Sequence, residues 1–141
     1  MATSNETNPA QAWLVAFVQQ HGGVAGSVHR LSSPDELTLA AALNLPPPVV
    51  AAVQRVPRGK GMAGLALAQN QPISTCNLQA DTSGQVRPGA KAVAAQAAVA
   101  LPVHNAAGSV RAVVGIAFSD ERTIDDEGLR GLAAAAASLP A

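Results

Sequence analysis

The chain has 141 residues, the length of one domain, and a domain of this size buries roughly two-thirds of the surface that its unfolded chain exposes. Nine basic and nine acidic residues cancel, so no net charge favours nucleic acid or an acidic membrane as a partner. Two Phe, one Trp and no Tyr leave little aromatic surface to stack bases or to enclose haem or a bilin, so Ala, Val and Leu must supply the core.

The first predicted element is a helix that follows a polar segment, residues 1–8, which we expect to be a disordered tail. Asn8 can cap this helix, and Pro9 suits its first position. Residues 24–31 then predict a strand, and residues 33–35 predict a turn short enough to join antiparallel neighbours. The returning strand is indicated by apolar residues at every second position: Leu37, Leu39, Ala41 and Leu43.

Residues 46–88 predict a roof over one face of the sheet, made of two apolar helices, a short strand and a polar loop. Residues 46–48 open the first helix, and the two helices are separated by a turn containing Pro57, Gly59, Gly61 and Gly64. Residues 69–72 end the second helix, and residues 73–76 resume as a strand. The loop at residues 79–89 is typical of a surface excursion.

A second hairpin and a last helix complete the predicted elements. Residues 97–103 and 110–118 alternate as strands, and five side chains of the later strand are expected to point to one core: Val110, Ala112, Val114, Ile116 and Phe118. Thr123 or Asp125 can cap the last helix. The fold class is therefore predicted to be α+β: an antiparallel sheet with the terminal helices on one face and the roof over a pocket on the other.

The order of these elements, together with the stretches PRGKGMAGLALAQNQPI, AVALPV and RAVVGIAF, resembles the GAF domain family over nearly the whole chain. The resemblance implies a single domain over residues 1–141, a ligand pocket enclosed by the sheet and its overlying helices, and a homodimer paired through the terminal helices. Within that family, the closest local similarity is to the free methionine-R-sulfoxide reductases. Their essential cysteines match Val53, Ala63 and a position near Lys91, so the resemblance implies the scaffold without the catalytic thiols.

Two other branches of the family fit less well. Cyclic-nucleotide-binding members have a Phe three residues before Asp-Glu, whereas here Phe118 is followed by Ser119 and then directly by Asp120 and Glu121. Bilin-binding members have a cysteine followed by histidine, whereas Cys76 is followed by Asn77. The sequence therefore requires no cofactor and carries no haem, bilin or metal signature.

The candidate ligand-binding residues lie in and beside the predicted roof: Lys60, Met62, Leu65, Cys76, Asn77, Asp81, Arg87 and Val99. Cations outnumber acids between residues 50 and 91, where Asp81 is the single acidic residue, so an anionic ligand is one interpretation. The other interpretation is that these cations are solvated side chains with no ligand.

The spacing Gly59-x-Gly61-x-x-Gly64 matches a dinucleotide-binding pattern. The strand required before it and the parallel partner after it are missing, so close packing of small residues is the better interpretation.

The other chemically active residue types give weaker signals. Cys76 is the only cysteine, which excludes an internal disulfide and fits the reducing cytoplasm. An inert, buried thiol is favoured over a reactive one. His21, His29 and His104 lack partners at metal-ligand spacing, and the side of the sheet that His29 faces stays open.

The sequence favours a cytoplasmic sensory module that binds a small molecule and has no catalytic activity of its own. Because no kinase, cyclase or DNA-binding segment is seen in the chain, we expect its output to pass through a partner protein. A thiol-dependent oxidoreductase that uses Cys76 and an interaction module with a vestigial pocket are the alternatives. Neither a nucleic acid nor a membrane is an expected partner, and residues 1–10 do not resemble a signal peptide.

Overall fold

The structure, a computed structural model, describes residues 9–75, 97–119 and 124–140. In chain order its helices are α1 (Pro9–Gln20), α2 (Pro47–Ala52), α3 (Gly61–Gln69) and α4 (Asp126–Ala136). The strands are β1 (Ala25–Ser33), β2 (Glu36–Leu43), β3 (Arg55–Pro57), β4 (Ile73–Thr75), β5 (Ala97–His104) and β6 (Val110–Phe118). Among these residues, no helix combines the length and the apolar character that a membrane crossing would need.

The six strands form one antiparallel sheet in the order β3-β2-β1-β6-β5-β4. Both predicted hairpins, β1 with β2 and β5 with β6, are present, and β1 and β6 pair at the centre of the sheet. The predicted α+β class is confirmed. The strand β3 was not predicted, because it ends in Pro57, which the sequence analysis assigned to the turn between two helices.

The terminal helices cover one face of the sheet, which we call the helix side. Helices α1 and α4 pack here over side chains from β1, β5 and β6, and the buried members include Leu14, Phe17, Val18, Val28, Leu101, Val114, Ile116, Phe118 and Leu132. The predicted position of the two terminal helices is thereby confirmed. Removing this much apolar surface from water makes the helix side the main source of folding free energy in the described chain.

The opposite face, which we call the roof side, lies under α2, β3 and α3. Its buried residues form two smaller clusters, one around Leu37, Val56, Leu67 and Val113 and another around Ala25 and Val49. The predicted placement of the inserted helices over this face is also confirmed. The roof is thus attached through fewer and smaller apolar contacts than the helix side.

The described strands contain three register shifts, at Val28/His29, Leu31/Ser33 and Val103/His104, and the first and last are β-bulges that change the faces predicted by simple alternation. In β2 an extra residue, Ala40, lies between Leu39, which pairs with His29, and Ala41, which pairs with Val28. Consequently Leu37 packs on the roof side while Ala41 belongs to the helix-side core, so these alternating residues do not share one face.

The second bulge corrects the prediction for β6. Arg111 is extra between Val110, which pairs with His104, and Ala112, which pairs with Val103. Val110 therefore packs in the roof-side cluster, whereas the other four residues expected beside it do point to the helix-side core. The prediction that all five share one core is wrong at Val110, because a bulge reverses the side-chain alternation.

Polar contacts hold the chain ends of the described part against the helix side. The Trp13 ring stacks on Phe17 with centroids 4.8 Å apart, and its Nε1 donates to Ser138 Oγ at 2.9 Å. The Arg111 guanidinium donates to the carbonyl of Leu139 at 2.6 Å. Asp125 caps α4 by accepting from the Gly128 amide at 2.8 Å, as one of the two predicted caps would. Asn8, the predicted cap of α1, and Thr123 lie outside the described residues.

Candidate functional site

A cavity of about 140 Å³ lies between the sheet and the roof. Its floor is the roof side of β1, β5 and β6, and its upper wall comes from α2, β3 and the start of α3. The residues that line it are Ala25, Gly26, Ser27, His29, Leu45, Val49, Val53, Val56, Gly61, Met62, Ala63, Ala98, Val99, Ala100, Gly115, Ile116 and Ala117. Nearly all of them are apolar, and this list contains no Asp, Glu, Lys or Arg.

The space exists because three neighbouring strands place small residues on the same face. Ala25 and Ser27 of β1, Ala98 and Ala100 of β5, and Gly115 and Ala117 of β6 form the floor, listed in strand order. In β5 and β6 the neighbours of these residues point to the other face and are larger: Val99, Leu101, Val114 and Ile116. Alternation of large and small residues therefore leaves a depression on one face only.

The glycines of the roof hold α3 close to the preceding strand. A Cβ atom at Gly64 would lie 2.4 Å from the carbonyl oxygen of Pro57, and the Gly59 amide donates to the Gly64 carbonyl at 2.8 Å. Gly59 and Gly61 have φ values of 83° and 63°, which side-chain-bearing residues rarely adopt. These residues fix the start of α3, and with it Met62 and Ala63, over the floor. The interpretation of the Gly-rich stretch as a packing motif agrees with this geometry.

His29 is the buried polar side chain of the cavity, with 3% of its surface exposed. It lies on the roof side, which answers the question that the sequence left open. Its Nε2 is 2.8 Å from the carbonyl oxygen of Val53, the residue that ends α2. Because a carbonyl can only accept, the proton of this hydrogen bond is on Nε2. His29 thus ties the floor of the cavity to the roof.

Ser27 is the other polar side chain of the lining. It is half-buried and pairs with Gly115 across the β1–β6 ladder. A Cβ atom at Gly115 would lie 2.9 Å from Ser27 Oγ, so the glycine leaves free the space beside the hydroxyl. Within the described residues the Ser27 hydroxyl makes no hydrogen bond.

The predicted site residues are distributed unevenly around this cavity. Met62 and Val99 line it, although the Val99 side chain packs in the helix-side core, so its main chain is what borders the cavity. Leu65 packs against the roof-side cluster, and Lys60 is exposed immediately before α3; neither lines the cavity. Four further predicted residues, Cys76, Asn77, Asp81 and Arg87, lie outside the described residues, as does Lys91.

The described cations of the roof do not line the cavity. Arg55, Arg58 and Lys60 are all exposed, and Arg58 donates to the carbonyls of Pro34 and Ala68 at 3.4 and 3.5 Å. The prediction of an anionic ligand therefore depends on Arg87 and Lys91. Over residues 9–75, 97–119 and 124–140, no cluster of His, Cys, Asp or Glu has the arrangement of a metal site.

Val53 and Ala63, which match cysteines of the reductases, both line the cavity. Val53 lies where α2 ends, and Ala63 lies in the first turn of α3. Sequence reasoning did not identify Ser27 or the floor residues of β5 and β6. The signal for the floor was present, because the stretches AAVALPV and VVGIAF alternate large with small residues.

The sequence itself matches no protein-family model and no curated protein. Solved structures do match. The GAF domain of a phosphoenolpyruvate-protein phosphotransferase from Coxiella burnetii is 20% identical, with a TM-score of 0.69 over 92% of this chain and 83% of that one. The type II free methionine-R-sulfoxide reductase of Thermoplasma acidophilum is 16% identical, with a TM-score of 0.68 over 92% and 91%.

A third similar structure is that of the NreA protein of Staphylococcus aureus, mutated in its nitrate-binding site. It is 16% identical, with a TM-score of 0.69 over 86% of this chain and 91% of that one. Similarity at such identities establishes the architecture of the chain and not its activity. Together with the sheet order and the two helical layers, it shows that this chain has the fold of GAF domains.

Proposed function

We propose that this chain is a sensory module that binds a small molecule between the sheet and the roof and has no catalytic activity of its own. The observation that carries the proposal is the cavity: its floor is built from small residues, although the other face of β5 and β6 is filled with large ones. Signalling would follow because a ligand held there contacts α2 and α3 at once and favours one arrangement of the roof.

The known structures of the same fold support a binding role. The Staphylococcus aureus protein is described by its nitrate-binding site, so this fold can hold a small ligand. We further propose that the chain acts in the cytoplasm, as a homodimer paired through the terminal helices, and passes its state to a partner protein. The single cysteine favours that compartment.

The lining of the cavity supports a non-catalytic role. Among the described lining residues there is no cysteine, and the Nε2 atom of His29 already donates to Val53. Ser27 and His29 are not joined by a hydrogen bond, so they do not form an activated nucleophile. The described lining provides an apolar cavity with the polar side chains of Ser27 and His29, which suits the binding of a small molecule.

The test is a cavity-filling variant with a matched control. Ala63→Leu adds three carbon atoms to the cavity wall, whereas Ala51→Leu adds the same atoms to an exposed position of α2. Native mass spectrometry of freshly purified protein reports copurifying ligand and subunit number together. A metabolite screen by thermal shift then identifies compounds that stabilise the wild type, by about 2.7 kcal/mol at a hundred times Kd.

We expect Ala63→Leu to lose the copurifying ligand and the thermal shift, and Ala51→Leu to retain both. Retention of the full shift in Ala63→Leu would place binding outside the cavity and contradict the proposal. Turnover of free methionine-R-sulfoxide with a thiol reductant, abolished by Cys76→Ser, would contradict the non-catalytic part and favour the oxidoreductase.

A further inference from the structure

The Ser27 hydroxyl is a polar group that the described fold leaves unused inside an apolar cavity. We propose that the ligand is a compact, uncharged and largely apolar molecule with one hydrogen-bonding group, and that this group binds Ser27 Oγ. The inference rests on the proposed function and specifies the chemistry of its ligand. It differs from the anionic ligand that the excess of cations in the sequence suggested.

The described part of the cavity has the size of a small molecule. An engineered, apolar protein cavity of about 150 Å³ binds benzene, and the cavity here has about 140 Å³. A single ring with one short substituent, or an aliphatic group of similar volume, therefore fits. A nucleotide or another multi-ring compound does not fit between the floor and the described part of the roof.

The described lining offers no counter-charge to a charged ligand. The nearest described cations, Arg55, Arg58 and Lys60, are exposed and do not reach the cavity, and no described carboxylate lines it. A carboxylate or ammonium group placed against these walls would lose its hydration without gaining an opposite charge. By contrast, an apolar body would bury its surface against Val49, Met62 and the small residues of the floor.

The position of Ser27 defines where the polar end of the ligand lies. Ser27 is opposite Gly115, and a side chain at residue 115 would come within 2.9 Å of Ser27 Oγ. The glycine thus keeps the hydroxyl accessible from the cavity. A hydroxyl can both donate and accept, so it can bind an alcohol, a carbonyl or an amide oxygen of the ligand.

Four probes of nearly equal size test this inference by isothermal titration calorimetry on the full chain: toluene, benzyl alcohol, benzylammonium and benzoate. We expect benzyl alcohol to bind most tightly and toluene about fivefold more weakly, the value of one net hydrogen bond. The two ions are expected to bind at least about tenfold more weakly than benzyl alcohol, because the described lining residues supply no counter-charge.

Two variants test whether Ser27 makes the hydrogen bond to the probe. Ser27→Ala is expected to abolish the fivefold advantage of benzyl alcohol and to leave toluene binding unchanged, and Gly115→Ala is expected to reduce the same advantage by crowding the hydroxyl. Ser74→Ala, at an exposed position of β4, is the matched control and should behave as wild type. Circular dichroism of each variant verifies that the fold is retained.

The outcomes separate the inference from the proposed function. Tighter binding of benzoate or benzylammonium, lost in Ala63→Leu, would overturn the inference while leaving a binding cavity in place. An unchanged preference for benzyl alcohol in Ser27→Ala would overturn the role of Ser27. If none of the four probes binds and no compound in the metabolite screen stabilises the protein, both the inference and the proposed function fail.

Discussion

The two faces of the sheet are built from alternate residues of the same strands, yet the side chains on the two faces differ in size. On the helix side, β5 and β6 contribute Val99, Leu101, Val114 and Phe118, which pack against α1 and α4. On the roof side the same strands contribute Ala98, Ala100, Gly115 and Ala117, and a cavity remains above them. The difference teaches that one strand can supply stability through one set of residues and space for a ligand through the other.

This division suits the binding role proposed above. Space for a ligand costs stability, because the lining atoms lose the contacts that a filled core would give them. Here the loss falls on the face that carries the smaller clusters, while the larger helix-side core stays intact. We therefore expect the roof to have the lower local stability, so that its arrangement can change without unfolding of the domain.

The largest expected effect tests the role of the helix-side core. Phe118→Ala removes a ring that is 2% exposed, so we expect the free energy of unfolding to fall by about 3–5 kcal/mol, measured by urea denaturation. Met62→Ala, at the wall of the existing cavity, is the roof-side counterpart and should cost less than about half as much. Equal losses at the two positions would show that the faces do not differ in this way.

A smaller effect tests how the roof is held in place. Gly64→Ala would put a Cβ atom 2.4 Å from the main-chain oxygen of Pro57, so α3 must shift and the free energy of unfolding should fall by about 3 kcal/mol. Gly131→Ala is the matched control, since α4 has open space at that residue. We expect this control to stabilise the protein by about 0.5 kcal/mol. Similar unfolding curves for the two variants would refute the close approach of α3 to β3.

The smallest effect concerns the polar link between floor and roof. His29→Ala leaves the carbonyl of Val53 without its donor, and we expect a loss of about 1–3 kcal/mol in the free energy of unfolding. His104→Ala is the comparison, because this exposed histidine pairs with Asn70 Oδ1 at the surface and should cost about 0.5 kcal/mol or less. Should His104→Ala prove the more damaging variant, His29 would not be the link that we describe.

The sequence was sufficient to predict the layers of the fold and their order. Apolar spacing from Leu14 to Val18, the Gly-rich turn before Met62 and the alternation in β5 and β6 are local patterns with a single structural solution. Resemblance to GAF domains connected them into a topology, and the structure confirms both hairpins and both helical layers.

The details of the site were less predictable, because they depend on pairing between distant residues. The extra residues Ala40 and Arg111 become visible only when the register of β2 against β1 and of β6 against β5 is known. The face of His29 is likewise set by its partner strands and by Val53, which is 24 residues away. Lys60 was predicted for its charge and its place in the roof, whereas the cavity is lined mainly by small residues with no reactive group.

The position of Trp13 has a practical consequence. It is the only tryptophan of the chain, and it lies on the helix side, stacked on Phe17 and bonded to Ser138. Its fluorescence will therefore report on the seating of the terminal helices and will respond weakly to events at the cavity, on the other side of the sheet. A ligand that alters the emission of Trp13 must do so through the sheet, so this native fluorophore distinguishes simple occupancy from a signal that crosses the domain.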